Sequence, residues 1–338
     1  MLPQMEADGV RYPPGFPMPR DPLALTDRSR RPIVRRQYKP RFPFPVPNGW
    51  FVVAESSGLA PGEHRNLYVF GTDVVLFRGD DGAPALVDAY CAHLGAHLGV
   101  GGTVEGDCIR CPFHGWRYDA SGACAEIPYG NTTHIPSQAR VRSYPCVERN
   151  HMIWAWHHLA EADPFYEVPV IPELHDPEWC PYEYLEFDVA TCAQEMMENN
   201  VDYAHFKFVH GTEEIPEDEF FVDGHYKRTV GATLHRESFG LGLGVVRVPG
   251  AITFLSSTTP VDTEHVTVRW IFTAPRSLGP QAAVYAREQF AGGVSQDLPI
   301  WENKRFVARP VLTKGERVLL EQRAWAEQFY TWSTDQDG

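Results

Sequence analysis

The sequence is short of three things. Cysteine is scarce, at seven in 338 residues, and the number is odd with no framework spacing. A disulfide-stapled secreted scaffold is therefore excluded, and a reduced, cytoplasmic setting is expected. Long apolar runs are missing: no stretch reaches the roughly 18 consecutive apolar residues of a membrane span, and the N-terminus has no hydrophobic signal core. The expectation is a soluble chain without a transmembrane segment. Positive charge is the third shortage, with 30 Lys and Arg against 44 Asp and Glu, a net charge of −14. Phosphate backbones are gripped by basic patches, so nucleic acid is not a partner of this chain, whose acidic surface suits a basic one. Internal repeats are absent as well. Gly240-Leu-Gly-Leu-Gly244 lacks the complete dinucleotide fingerprint and its strand–turn–helix setting, which leaves a strand with glycine bends.

What the sequence does contain is concentrated in residues 91–116, where two matched half-sites stand, Cys91-x-His93 and Cys111-x2-His114. Two thiolates for one iron and two neutral imidazoles for the other form the ligand set of a Rieske [2Fe–2S] cluster. Gly95 and Gly115 let the loops turn tightly, and Pro112 stiffens the second. Cys108-x2-Cys111 beside a histidine also suits a zinc knuckle. Two complete half-sites on glycine-bearing loops favour the cluster, and this stretch resembles a Rieske protein. Ala96 and Phe113 occupy the places where the respiratory type carries a further disulfide, so the resemblance is to the ferredoxin and oxygenase group.

A lone cluster domain needs far less chain, and the 43% apolar content is enough for a second core. Residues 1–47 read as an extended Pro/Arg-rich arm: Arg28, Arg30, Arg31, Arg35, Arg36, Lys39 and Arg41 are interspersed with Glu6, Asp8, Asp21 and Asp27, unlike an acid-poor transit peptide. From Trp50 onward short strands alternate with turns. Asn66–Phe70, Val74–Arg78, an Asp80-Asp81-Gly82 hairpin and Ala85–Asp88 precede the first loop, and Trp116–Tyr118 and Met152–Trp156 follow the second. An all-β domain of residues 48–160 is the result, with His93 and His114 nearest its surface. Five prolines in 161–181 mark a connector. A helical window opens near Thr191 and stops at Gly211. Strands are expected at Thr229–Glu237, Val245–Val248, Ala251–Ser256 and His265–Thr273, then a helix over 281–306. Residues 161–338 are thus a mixed α+β domain.

Inside the first helical window lies Asp202-x2-His205-x4-His210. At about 100° per residue His205 and His210 sit roughly 140° apart, so convergence on one ion requires the helix to loosen before Gly211. Two histidines and one carboxylate with open positions are the facial triad of non-haem Fe(II) oxygenases. A packed histidine pair is the alternative that this spacing alone leaves open. The two patterns together resemble the α subunit of Rieske non-haem iron oxygenases over roughly residues 45–335. Four shorter stretches resemble the branch of 3-ketosteroid 9α-hydroxylase oxygenases and cholesterol 7-desaturases: His93–Gly102, Asp202–His210, Ile300–Lys304 and Trp325–Tyr330.

That resemblance implies an α+β fold, an N-terminal all-β Rieske domain followed by an antiparallel-sheet-plus-helices catalytic domain of helix-grip type. It implies a [2Fe–2S] cluster on Cys91, His93, Cys111 and His114, and a mononuclear Fe(II) on His205, His210 and an acid of the late helix. Asp297 is the acid to which that role is carried, with Glu288 and Glu302 as rivals. Asp202 is implied as the catalytic acid that joins His205 to His114 of an adjacent subunit in a homotrimer. Electrons are implied to come from NAD(P)H only indirectly, through a flavin/iron–sulfur reductase or a ferredoxin, with O2 as co-substrate. The expected activity is that of a monooxygenase, hydroxylating or desaturating an apolar polycyclic, steroid-like substrate. A Rieske oxygenase acting on a small aromatic or alkaloid, and an electron carrier without catalysis, are the alternatives. His97 and the N-terminal arm find no role in this comparison.

Overall fold

The computed structural model describes residues 40–129, 134–216 and 218–332, together with two paired strands, β1 (Glu6–Ala7) and β2 (Val10–Arg11). The remainder of the Pro/Arg-rich arm expected over 1–47 lies outside the described residues up to Pro40. The chain divides into two compact units, one of 45–170 with 259–263 and 331–332, the other of 40–44, 171–258 and 264–330. Among the described residues no helix is long and apolar enough to cross a membrane.

The first unit is all β. Strands β3 (Gly49–Glu55), β4 (His64–Val69), β5 (Thr72–Arg78) and β6 (Pro84–Asp88) precede the first Cys/His loop. Next come β7 (Thr103–Glu105), β8 (Cys108–Arg110), β9 (Arg117–Tyr118), β10 (Cys124–Glu126), β11 (Ser143–Tyr144), β12 (Cys146–Arg149) and β13 (Met152–His157). They form three small sheets ordered β10-β9-β8-β7, β11-β6-β5-β4 and β12-β13-β3. β5 shows why the sequence folds this way. Its side chains alternate, Val75 and Phe77 entering one core with Leu98, Ile109 and Tyr118, Val74 and Leu76 entering the other with Phe51 and Ile153. The proline-dense connector begins later than its composition suggests. Residues 161–170 pack on this unit, where Trp50 Nε1 donates to the Tyr166 carbonyl at 2.8 Å and the Trp156 ring meets Phe165 and Tyr166 at 5.2 and 5.3 Å.

The second unit is a seven-stranded antiparallel sheet with helices. Its strands are β14 (Glu183–Val189), β15 (Glu219–Asp223), β16 (Tyr226–Val230), β17 (His235–Phe239), β18 (Leu243–Val248), β19 (Ile252–Pro260) and β20 (Val266–Thr273). Their order is β14-β20-β19-β18-β17-β16-β15, a meander from β15 to β20 closed by β14. The strand expected over Thr229–Glu237 is two strands: Thr229 and Val230 end β16, residues 231–234 turn the chain, and His235–Glu237 begin β17; a Cβ on Gly231 in that turn would sit 2.2 Å from Asp218 Oδ1. The helix expected over 281–306 is α3 (Ala282–Trp301). Ala286, Val294, Leu298 and Trp301 on it pack against Phe187, Val268 and Phe272 of the sheet. α4 (Val318–Ala326) follows near the C-terminus.

Arg78 ties the first unit together. The guanidinium is 7% exposed and donates to the carbonyls of Leu59 at 2.8 Å and Gly82 at 2.5 Å and to both Glu148 carboxylate oxygens at 2.8 and 3.0 Å. Those bonds hold the Glu148 carboxyl below its ordinary pKa. A group lowered in the folded state stabilises above its unfolded pKa and loses that contribution as pH falls through the folded value. Replacing Arg78 by Met leaves the buried Leu59 carbonyl, the half-buried Gly82 carbonyl and the solvent-screened Glu148 carboxylate without their donor, which should cost about 1–3 kcal/mol at pH 7. Thermal denaturation of Arg78→Met and wild type should show this gap narrowing between about pH 5 and pH 3.

Candidate active site

The two Cys/His loops of the first unit have the same backbone construction. Gly95 N–H donates to the Cys91 carbonyl at 2.9 Å and Cys91 N–H to the Ala96 carbonyl at 2.9 Å; Gly115 and Cys111 repeat this with Trp116 at 3.1 and 2.8 Å. Each turn closes on a glycine of positive φ, +72° at Gly95 and +73° at Gly115, a conformation that costs other residues free energy. The spacing Cys-x-His and Cys-x2-His therefore places both histidines at the tips and both cysteines at the roots. Cys91 and Cys111 are 4% and 1% exposed, whereas His93 and His114 are half-buried, their rings 4.7 Å apart.

These residues fit an iron–sulfur group. Burial pushes the Cys91 thiol pKa up and the neighbouring Cys111 adds to this, so two thiolates side by side need a cation between them. The Tyr118 hydroxyl lies 3.1 Å from Cys91 Sγ. His93 Nδ1 is buried without a hydrogen-bond partner, although its ring is held flat on Trp116 at 4.7 Å. An orphaned ring nitrogen in a positioned imidazole suits a ligand atom. His97, the extra imidazole, accepts a hydrogen bond from Gly99 N–H at 3.1 Å and sets its ring against Tyr90, so it orders the first loop.

In the second unit the single helix expected from Thr191 to Gly211 is two short ones, α1 (Ala193–Glu198) and α2 (Ala204–Phe208). Asn199, Asn200 and Asp202, residues whose side chains compete with helical hydrogen bonds, fill the break. α2 ends before His210, and Gly211 turns the chain with φ +75°. This second loosening answers the 140° separation: the ligand atoms of His205, His210 and Asp297 all lie within 4.8 Å of one another. Glu288 pairs with Arg287 at 3.8 Å, and neither Glu288 nor Glu302 joins the group.

Each histidine is oriented by a partner. His205 Nδ1 donates to the main-chain carbonyl of Asp202, not to its carboxylate, and the half-buried Asp202 side chain is not in the three-residue group. His210 Nδ1 donates to Gln296 Oε1 at 2.9 Å. Both Nε2 atoms therefore carry the lone pair, with Asn199 Nδ2 3.4 Å from that of His205 and Asp297 Oδ2 3.4 Å from that of His210. Burial lowers the His205 pKa. At His210 burial is the largest influence and also works to lower it, but the Asp297 carboxylate and the Gln296 hydrogen bond together outweigh burial and the net shift is upward. Gln296 and Asn199 are the functional residues that sequence spacing alone does not assign. Gln296 stands beside Asp297, yet its partner is 86 residues away.

The group opens on a cavity of about 370 Å3 lined by apolar side chains, among them Met196, Phe206, Phe254, Trp270 and Phe290. Strands β19 and β20 and the helix α3 supply parts of its wall. A mixed Cys/His cluster site in a small β unit, with a two-histidine, one-carboxylate group lining an apolar cavity in another, is the design of a Rieske non-haem iron oxygenase.

Comparison with known proteins agrees. Residues 49–145 match the Rieske [2Fe-2S] domain, and residues 155–330 match the 3-ketosteroid 9alpha-hydroxylase C-terminal domain. The chain belongs to this family of Rieske oxygenases, oxidoreductases that use a Rieske cluster, a mononuclear iron and O2. It is 31% identical to cholesterol 7-desaturase nvd 1 of Ciona intestinalis, over 91% of this chain and 74% of that protein. It is 29% identical to the 3-ketosteroid-9-alpha-monooxygenase oxygenase component of Mycolicibacterium smegmatis, over 83% of this chain and 82% of that protein. Among solved structures NdmA of Pseudomonas putida CBB5 superposes with a TM-score of 0.68 at 23% identity, over 82% of this chain and 88% of that one, a likeness of fold.

The His210–Asp297 pair can be tested without metal. In the metal-free protein a raised histidine pKa adds stability that is full below the unfolded value and is lost as pH rises through the folded one. Asp297→Asn removes the carboxylate and leaves burial dominant, so NMR titration of the His210 ring should show its pKa moving downward. An unchanged titration would show that the carboxylate does not control His210.

Proposed function

We propose that this protein is the terminal oxygenase of a multi-component system, hydroxylating or desaturating a steroid- or sterol-like substrate at an iron held by His205, His210 and Asp297. The observation that carries this reading is the closure of those three side chains in the wall of a largely apolar cavity. The relatives named for 3-ketosteroids and cholesterol support an apolar polycyclic substrate. A second site on Cys91, His93, Cys111 and His114 holds the cluster. When bound, the cluster carries single electrons and the iron activates O2.

The protein residues do the positioning. Asp202 through its carbonyl and Gln296 through its amide oxygen keep each Nδ1 protonated and each Nε2 free. Phe254, Trp270 and Phe290 exclude water and leave a substrate only apolar walls to lean on. A flavin/iron–sulfur reductase or ferredoxin is the electron donor in this reading, and the half-exposed His93 and His114 are the edge it approaches. The functional division is arm 1–47, cluster domain 48–160 and catalytic domain 161–338. By the family resemblance the reading extends to a cyclic trimer, one of the closed symmetric assemblies open to a soluble protein, in which Asp202 links the catalytic site to a neighbour's cluster.

Iron and acid-labile sulfide, counted in anaerobically handled protein after Fe(II) addition, test the metal sites. About three irons and two sulfides per chain are expected in the wild type and about two irons in His205→Ala. Two irons in both would remove the oxygenase and leave an electron carrier. Steroid-dependent O2 uptake with a reductase tests the substrate class. Asp202→Asn should keep both metals and lower turnover at least about 10-fold, and near wild-type rates in that variant would remove the bridging role.

A further inference from the structure

Of the polar groups lining the cavity, two among the described residues are buried donors without a partner, Arg236 Nε and Gln289 Nε2. Arg236 belongs to the histidine end: its guanidinium lies 5.3 Å over the Phe206 ring, which is 4.3 Å from His205 and 5.8 Å from His210. Its charge is also committed to Asp218. Gln289 is different. It stands on α3 eight residues before Asp297, about 12 Å along the axis, and no partner among the described residues takes its buried amide nitrogen Nε2. Folded proteins seldom leave a buried donor unmade.

Between these two residues is Gly293, which also lines the cavity. Positions 289, 293 and 297 advance by four, a stripe that drifts only about 40° per step. Glycine is the poorer choice inside a helix. Nothing in the packing demands it here, because an added Cβ would meet no atom within 4 Å. At Gly115, by contrast, a Cβ would meet Pro128 at 2.9 Å. The space over Gly293 is therefore cavity.

We infer that α3 gauges the substrate: Gln289 donates a hydrogen bond to a ketone or hydroxyl oxygen at the end remote from the reacting carbon, Gly293 makes room for the fused-ring body, and Asp297 marks the reacting end. The inference rests on the oxygenase reading above and specifies the ligand that reading leaves general. Gln289 and Gly293 are specificity residues, and the reaction itself asks nothing of them.

Calorimetric binding to the metal-loaded oxygenase without reductase tests it, using two ligand pairs: a 3-ketosteroid with its 3-deoxy analogue, and a bicyclic aromatic ketone with its hydrocarbon. Wild type should prefer the steroid ketone over its deoxy analogue by about 5- to 20-fold. Gln289→Leu should abolish that preference by weakening the ketone alone. Gly293→Leu should weaken the steroids at least about tenfold and the bicyclic pair far less. Gly293→Ala, which helix propensity favours, should melt no lower than wild type and show the same bias in smaller degree. A ketone preference that survives Gln289→Leu overturns the anchor, and equal losses for large and small ligands overturn the spacer. If only the aromatic pair binds, the steroid class fails while the anchor is judged on that pair. Binding of neither pair overturns both.

Discussion

A carboxylate that is 5% exposed has to be matched by charge or hydrogen bonds, and the catalytic unit is arranged around meeting that demand for Asp297. The answer is His210, 3.4 Å away, whose pKa the carboxylate raises against the pull of burial. This pairing fixes where the chain after α2 must go. His210 has to leave the helix to reach α3, and so α2 stops at Phe208 and Gly211 turns the backbone. An iron bound between the two would replace the proton, since both negative charge and neutral imidazole are what such a cation requires. The metal-free and metal-bound forms thus use the same contacts with a different cation.

The cluster unit meets the complementary demand. There the chain buries two thiols and leaves two imidazoles near the surface, and paired backbone turns make the asymmetry. A hydrogen bond from Tyr118 or from a loop amide spreads thiolate charge, and half-exposed imidazoles offer the short way in for an electron. At His205 and His210 the nitrogen that would face a metal is set by what the other ring nitrogen holds, whereas His93 is set by its stack on Trp116. At the catalytic site the holding groups are the Asp202 carbonyl and the Gln296 amide, which is why the identity of residue 296 matters as much as its neighbour's.

The sequence was most legible where contacts are local. Cys91 to His93 and Cys111 to His114 are short loops whose spacing nearly dictates their shape, and the strand pattern from Asn66 to Asp88 reappears with its turns. Legibility fell where a distant element decided the outcome. Helix periodicity ran straight through Asn199 to Asp202, yet tertiary demand broke it there, overriding local propensity. The strand read across Gly231 is interrupted because the chain reverses there to pair β16 with β17, and Asp218, thirteen residues earlier, packs on the bare glycine of the turn. Gln296 and Asn199 look like ordinary polar helix residues until the fold brings His210 and His205 to them. The connector at 161–170 was composition without context, since proline density does not reveal that Tyr166 and Val168 are buried.

A hollow of this size lined with apolar groups is costly, because lining atoms lose dispersion contacts and the surroundings tend to collapse into it. Rigid rings resist that collapse. Phe254 meets Phe290 at 4.6 Å and Phe272 at 4.9 Å, and Trp270 meets Phe187 and Phe254 at 5.4 Å. The network joins β14, β19, β20 and α3, so closing the cavity would require rings on four elements to move together. Trp270 adds a hydrogen bond from Nε1 to Ser256 Oγ at 2.7 Å, which pins one ring edge to the neighbouring strand. Small residues on the facing surfaces, Gly244 and Gly293, then set the empty volume that the aromatic frame keeps open. The stability lost to the hollow is offset by the packing of α3 on β14 and β20, in a core that shares Phe254, Trp270 and Val294 with the cavity wall. The same helix therefore carries core residues such as Ala286 and Leu298 beside the Gln289, Gly293, Asp297 stripe, so a substrate that seats against it is positioned by an element anchored in the core of the unit.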